Sequence, residues 1–365
     1  MIRRVSLLAT LLGAVLAGLL LVAGPATATS PTTTATTTST TTTTTTTNPT
    51  TTTTTVPTTT TTTVPTTTTT TTIPKRPNLS WPNEGSAAIA VPQLSVVATS
   101  PSQPRVPIAS LTKMMTTWVV LHRLPLSPGQ SGPCEIVSAA DVAIYDYDVE
   151  SGQSSVKIVL GQKLCENVLL RGVLVHSAGD YAELLSMLTG MHEPTFVAAM
   201  NQAARALGLR HTHYVDVTGI SNGDLSIARD QATLAADLMT NEQIVRGIVD
   251  LPQVFLPVVG VVQSYTPFVG EGNVVGVKSG FTNAAGGCDV MAVQDLIMNT
   301  VITTYAVVLG EHSSNPLGSA GDDALALSRS IRSSIARVAT PTGLRIEWIG
   351  SPTDLMTLPT SSKAK

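Results

Sequence analysis

Residues 274–309 read VVGVKSGFTNAAGGCDVMAVQDLIMNTVITTYAVVL. Three apolar runs stand out in this stretch: Val274–Lys278, Cys288–Val293 and Thr303–Leu309, parted by Gly-rich or polar turns. Such punctuation between β-branched runs predicts three adjacent antiparallel strands. Far upstream, Ser86–Val91 and Leu94–Ala98 are short β-type runs joined by Pro92-Gln93, which predicts a hairpin. The intervening sequence is mostly helical in pattern: Ser110–Leu121, Asn167–Leu188, Glu193–Leu207 closed by Gly208, and Ile227–Met239. Glu135–Val137 and Ser155–Val159 read as further strands, and Ala324–Val338 as a closing helix. Strands first, helices in the middle and strands last mean that the sheet is completed from both chain ends. The expected class is α+β, an antiparallel sheet with a helical subdomain, and not a doubly wound fold.

Outside this region the sequence changes character. Met1-Ile2-Arg3-Arg4 is a short positive start, Val5–Gly24 is apolar or small, and Ala26-Thr27-Ala28 has the small-x-small pattern of a cleavage site. Residues 1–28 therefore read as a secretory signal peptide, with a retained membrane anchor as the alternative. Residues 29–74 are almost entirely Thr with a few Pro, the composition of an extended stalk that cannot build a core. Residues 75–340 are then the folded domain, and residues 341–365 a short tail holding one strand-like run, Leu344–Ile349. Asn78-Leu79-Ser80 matches a glycosylation sequon.

Charge and cysteine usage narrow the function. The chain carries 21 Lys+Arg and 24 Asp+Glu, a net charge of −3. With no basic surplus, nucleic acid is not an expected partner. No Cys-x-x-Cys or His-x-x-x-His occurs, so neither a metal nor any other cofactor is expected. In an exported chain Cys134 and Cys165, which flank one excursion between strand-like runs, are expected to form a disulfide. Cys288, inside an apolar strand, is expected to be a buried free thiol.

Three short motifs carry nucleophile chemistry. Ser110-Leu111-Thr112-Lys113 places Ser and Lys on one helical face, where backbone N–H groups and the helix dipole can stabilise an oxyanion. A Lys with depressed pKa can activate such a Ser. Ser154–Lys157 and Ser362–Lys365 have the same spacing, but only Ser110 opens a helical pattern. Lys278-Ser279-Gly280 ends an apolar strand, where charge and hydroxyl can hold a carboxylate and Gly admits a close backbone approach. Ser177, in His176-Ser177-Ala178-Gly179-Asp180, lies between two helical runs, where it could relay a proton or simply cap a helix.

In this order the motifs resemble those of penicillin-recognising serine enzymes. The flanks Trp81-Pro82, Pro107–Thr116, Met200-Asn201, Ala206–Gly208, Ser226 with Ala228–Asp230, and Gly276–Thr282 before Ala285–Cys288 are similar to D-alanyl-D-alanine carboxypeptidases. That resemblance implies a β-lactamase/transpeptidase-like fold and a peptide hydrolase acting on peptidoglycan stem peptides, with β-lactams acylating the same Ser. It implies Ser110 as nucleophile, Lys113 as base and Ser177 as relay. Lys278 and Ser279 would hold the terminal carboxylate, helped by Arg229, and the backbone N–H groups of Ser110 and Phe281, flanking Gly280, would form the oxyanion hole. No stable protein partner is implied. The chain departs from the family pattern at Gly179, where the motif has Asn, at Ser279, where Thr is usual, and around Asp224, where a His is common. Gly179 favours a rival reading, a wall-associated penicillin-binding protein with little turnover. On this reasoning Gly179→Asn should raise turnover, and Asp180 is a group that could swing into the gap. No Glu-x-x-Leu-Asn run follows the middle motif, which argues against a β-lactamase.

Overall fold

The computed structural model describes residues 79–340, 343–348 and 354–355. The signal peptide, the stalk, the sequon's Asn78 and the Ser362–Lys365 pair lie outside these residues. The chain begins with β1 (Ser86–Val91), β2 (Val96–Thr99), β3 (Val106–Pro107) and α1 (Thr112–Arg123). Next come β4 (Cys134–Ile136), α2 (Ala139–Glu150), β5 (Lys163–Cys165), α3 (Glu166–Val175), α4 (Gly179–Met187) and α5 (Glu193–Ala206). They are followed by β6 (Leu225–Ser226), α6 (Ala228–Asn241), α7 (Gln243–Val249), β7 (Gln253–Leu256) and β8 (Gly260–Gln263). The chain closes with β9 (Val274–Thr282), β10 (Gly286–Ile297), β11 (Thr300–Glu311), α8 (Pro316–Ser330), β12 (Ile335–Thr340), β13 (Gly343–Trp348) and β14 (Asp354–Leu355).

The main sheet has the order β14-β2-β1-β11-β10-β9. Its first and last long strands meet in the middle, with Ser86 opposite Leu309 and Ala90 opposite Tyr305. All ladders in it are antiparallel. Every residue of β1 is buried, because the sheet is covered on both faces. Ala87, Ile89 and Val91 join Met291, Val308 and the α8 residues Ala320, Ala324 and Leu327 on one face. Ala88, Ala90, Val290, Val307 and Leu309 face the helical subdomain, where Met114, Leu169, Phe196 and Leu234 complete the larger core. The α+β reading and the three-strand reading of residues 274–309 therefore hold. Solved structures described below share this fold.

Several expected elements differ. Ser155–Val159 pairs with no strand, although Val156 and Ile158 are buried as a strand pattern would have them. Its N–H groups find side chains instead: Val156 donates to the Asp180 carboxylate and Val159 to Gln162 Oε1. The run Asn167–Leu188 is two helices, broken where Ser177 takes φ +61°. The closing helix is Pro316–Ser330, not Ala324–Val338. Asn315 caps it and Pro316 fills its first position, while Gly318 and Gly321 hide its helical pattern. Its expected end instead becomes β12, paired with β13.

Cys134 and Cys165 face each other across the β4–β5 ladder with Cα atoms 3.8 Å apart, and they are disulfide-bonded. The bond closes a 31-residue excursion containing α2 and the loop after it. Cys288 is buried and unbonded, and burial pushes its thiol up to about 12.

Candidate active site

Ser110 sits in a 3-10 turn, Ala109–Leu111, two residues ahead of the first residue of α1. Ala109 has φ +47°, a left-handed conformation that bends the chain sharply into Ser110. Two glycines let other backbone segments press on this bend. A Cβ on Gly219 would lie 1.9 Å from Ala109 O, and one on Gly280 would lie 2.7 Å from Ser110 N. The Gly of Lys278-Ser279-Gly280 thus admits the nucleophile turn itself against β9, rather than only a substrate backbone.

Lys113 Nζ lies 3.1 Å from Ser110 Oγ and donates to Thr218 O at 2.7 Å. Burial pushes Lys113 down from 10.5 to about 8, opposed by the charges of Asp216, Asp148, Asp180 and Asp224. Asp216 builds the loop that supplies Thr218 O, accepting from the N–H groups of Thr218, Gly219 and Ser221. Asp224 accepts from Thr112 Oγ1 at 2.7 Å and from Val215 N at 2.6 Å. It therefore ties the nucleophile segment to the Asp216 loop.

Ser177 and Lys278 come from opposite walls. Lys278 Nζ donates to Ser177 Oγ at 2.8 Å and to Ser279 O at 2.7 Å. Lys278 is fully buried, and burial first, then the charge of Lys113, holds its ammonium well below the usual lysine range. Ser279 Oγ donates to Tyr265 O at 2.9 Å. Ser110, Lys113, Ser177, Ser279, Gly280 and Phe281 line one cleft of about 310 Å³, with Gln153, Thr218 and Tyr265 completing its walls. The structure thus gathers the three motifs in one place. It offers a hydroxyl beside an amine of lowered basicity, and a second hydroxyl beside a second amine.

Arg229 is not among them. It lines a different pocket with Val97, Thr99 and Gln103, and its backbone N–H donates to Gln103 Oε1. Gln103 in turn holds Ala87 O of β1. The cleft lies against β9, and β2 and β9 are four strand spacings apart, about 19 Å at ~4.8 Å each. The sheet order therefore separates Arg229 from the cleft.

Nor is Gly179 a vacancy. A Cβ there would meet Asp148 Oδ2 at 2.7 Å and Gln153 Oε1 at 3.1 Å. Asp180, expected as a group that could swing in, is fixed by Val156 N–H. Asp148, Gln153, Asp216 and Thr218 went unrecognised in the sequence. The signal closest to them was the capping box Ser138-x-x-Asp141 that opens α2. Among the described residues no three His, Cys, Asp or Glu side chains gather as a metal would need.

The sequence pattern of the D-alanyl-D-alanine carboxypeptidase family matches residues 84–313. A D-alanyl-D-alanine endopeptidase of Escherichia coli is 30% identical over 216 residues, which is 56% of this chain and 62% of that protein. D-alanyl-D-alanine carboxypeptidase DacF of Bacillus subtilis is 27% identical over 146 residues, 40% of this chain and 36% of the relative. The chain thus spans from about a third to three-fifths of the length of these relatives. Among solved structures, penicillin binding protein 6B from Escherichia coli has a TM-score of 0.63 at 23% identity, covering 76% of this chain and 86% of that one. A variant of a Streptomyces DD-transpeptidase has a TM-score of 0.58 at 22% identity, covering 69% and 98%.

Proposed function

This chain belongs to the D-alanyl-D-alanine carboxypeptidase family, and from that premise we propose that it is an exported serine carboxypeptidase of the cell envelope. Its substrate is the D-Ala-D-Ala end of a peptidoglycan stem peptide. The observation that carries this reading is the 3.1 Å contact between Ser110 Oγ and Lys113 Nζ, with Ser177 in the same cleft and hydrogen-bonded to the buried Lys278 behind it. Lys113, neutral in a useful fraction near pH 7, takes the Ser110 proton as Oγ attacks the carbonyl of the penultimate D-Ala. Backbone N–H groups of Ser110 and Phe281 stabilise the resulting oxyanion. Ser177 passes the proton to the leaving amine, so that D-Ala departs and an acyl-enzyme remains on Ser110. Water then attacks this ester with Lys113 again as base. Lys278 and Ser279 hold the terminal carboxylate. Its arrival restores an anion beside a buried amine that otherwise resists carrying charge. β-Lactams acylate the same Ser110. Export rests on residues 1–28, whose apolar run serves as a cleaved signal or as a retained tether, with residues 29–74 as spacer.

The test is release of D-Ala from an acyl-D-Ala-D-Ala peptide, together with labelling by a fluorescent penicillin. Both should be lost in Ser110→Ala and retained in Ser154→Ala. The rival, a penicillin-binding wall protein with little turnover, is favoured by the glycine at position 179. It predicts labelling of Ser110 with no measurable D-Ala release.

A further inference from the structure

The side chain that Gly179 lacks has a substitute from elsewhere in the chain. Asp148, in the last turn of α2, and Gln153, in the loop after it, converge on the point where a Cβ of residue 179 would stand. Gln153 Nε2 donates to Asp148 Oδ1 at 2.9 Å. Asp148 is fully buried, and its Oδ2 has no hydrogen-bond partner. A carboxylate only accepts, so it draws the amide NH₂ to itself and turns Gln153 Oε1 toward Gly179. Gly179 N–H donates to Ser154 O at 2.7 Å, which stitches this loop to the start of α4. Gln153 is only half-buried and lines the cleft beside Ser110 and Lys113.

We propose that the carboxamide of Gln153 contacts the substrate in place of the missing Asn amide, its Oε1 accepting from an N–H of the bound peptide. Asp148 is the positioning residue that orients it. This rests on the reading of Ser110 as the acylated nucleophile. It gives a use to the second of the two side chains that α2 buries completely, Asp141 and Asp148, beside Val142 and Tyr145, which pack partly on the core. Asp141 closes the capping box, and Asp148 serves the cleft.

The test measures acylation of Ser110 by a fluorescent penicillin and D-Ala release from a D-Ala-D-Ala peptide, in the full chain. Gln153→Ala should slow both by about tenfold to a hundredfold, the range for leaving one polar group without its hydrogen-bond partner, with its thermal midpoint near that of the wild type. Asp148→Asn should slow both to a similar level, and Asp148→Asn/Gln153→Ala no further, because the two act as one unit. Gly179→Asn alone should also be slower, since its Cβ must displace the Asp148 carboxylate. Gln153→Ala reacting at the wild-type rate overturns the proposal, as does a double variant in which the two single losses multiply. A wild type that takes no label on Ser110 overturns the underlying reading and this inference together.

Discussion

If Lys113 is the base for Ser110, acylation must follow the neutral fraction of Lys113 as pH changes. Its side chain is 2% exposed, and burial pushes its ammonium down from 10.5 to about 8. At pH 7 an amine of pKa 8 is neutral about one time in eleven, whereas one of pKa 10.5 is neutral about one time in three thousand. Burial therefore supplies on the order of 300-fold more usable base, equivalent to about 3 kcal/mol. The second-order constant for labelling by a fluorescent penicillin should rise about tenfold between pH 6 and pH 7, bend near pH 8 and be flat by about pH 9.5, because it reports the free enzyme. Rapid-quench labelling read by gel fluorescence gives this constant directly, with Ser110→Ala as the blank. A limb centred near pH 10 would mean that Lys113 keeps an ordinary basicity. That result would refute the lowered basicity, and a flat profile from pH 6 to pH 9 would refute Lys113 as the base.

Gly280→Ala puts a methyl 2.7 Å from Ser110 N and 3.1 Å from Ala109 Cβ, so β9 must retreat from the nucleophile turn. Overpacking of this kind costs about 1–3 kcal/mol, visible in denaturant melts, and the displaced N–H should slow labelling about a hundredfold; unchanged labelling would show that the contact is slack. Opening the Cys134–Cys165 bond by Cys134→Ala/Cys165→Ala frees a 31-residue excursion. On the loop-entropy account this loses about 3–4 kcal/mol. Labelling should also slow, because Gln153 lies inside that excursion, and a double variant as stable and as fast as the wild type would contradict both points. Burial raises Glu166 from 4.5 to about 7, and neither carboxylate oxygen has a hydrogen-bond partner. A carboxyl group raised in the folded state contributes stability below its unfolded pKa and loses it as pH rises through the folded value. The thermal midpoint should therefore fall between pH 5 and pH 8, Glu166 accounting for an order of 3 kcal/mol. Glu166→Gln should flatten the curve and raise the pH 8 midpoint, and calorimetry showing the same slope in both proteins would sink the argument.

The nucleophile, base and carboxylate motifs were legible because each is a local pattern on one element. Ser110 and Lys113 share a face whatever the rest of the fold does, and Lys278 and Ser279 lie in a strand recognisable by the composition of its first half. The sheet was legible for the same reason, its strands being apolar runs between glycines. Arg229 failed because its place depends on strand order, which no local pattern records. Asp148 and Gln153 were invisible because their meaning arises only when α2 folds back over Gly179. α2 itself was missed because its fully buried positions are aspartates and only Val142 and Tyr145 lean on the core, too short a stripe to mark a helix. Ser155–Val159 misled because alternating burial is shared by strands and by extended segments held by side chains such as Asp180.

The pairing of β1 with β11 also bears on how the protein comes into being. Ser86 waits for Leu309, 223 positions later, before the centre of the sheet can close. Contacts this distant in sequence form slowly, because the loop between them must be gathered first. A chain emerging amino end first therefore has no sheet, no seat for β9 against the nucleophile turn and no acylatable Ser110 until almost the whole domain has appeared. On the proposed export, such a chain would stay threadable through a secretory pore for as long as translocation lasts, and the serine proposed as nucleophile would stay silent until it had arrived outside.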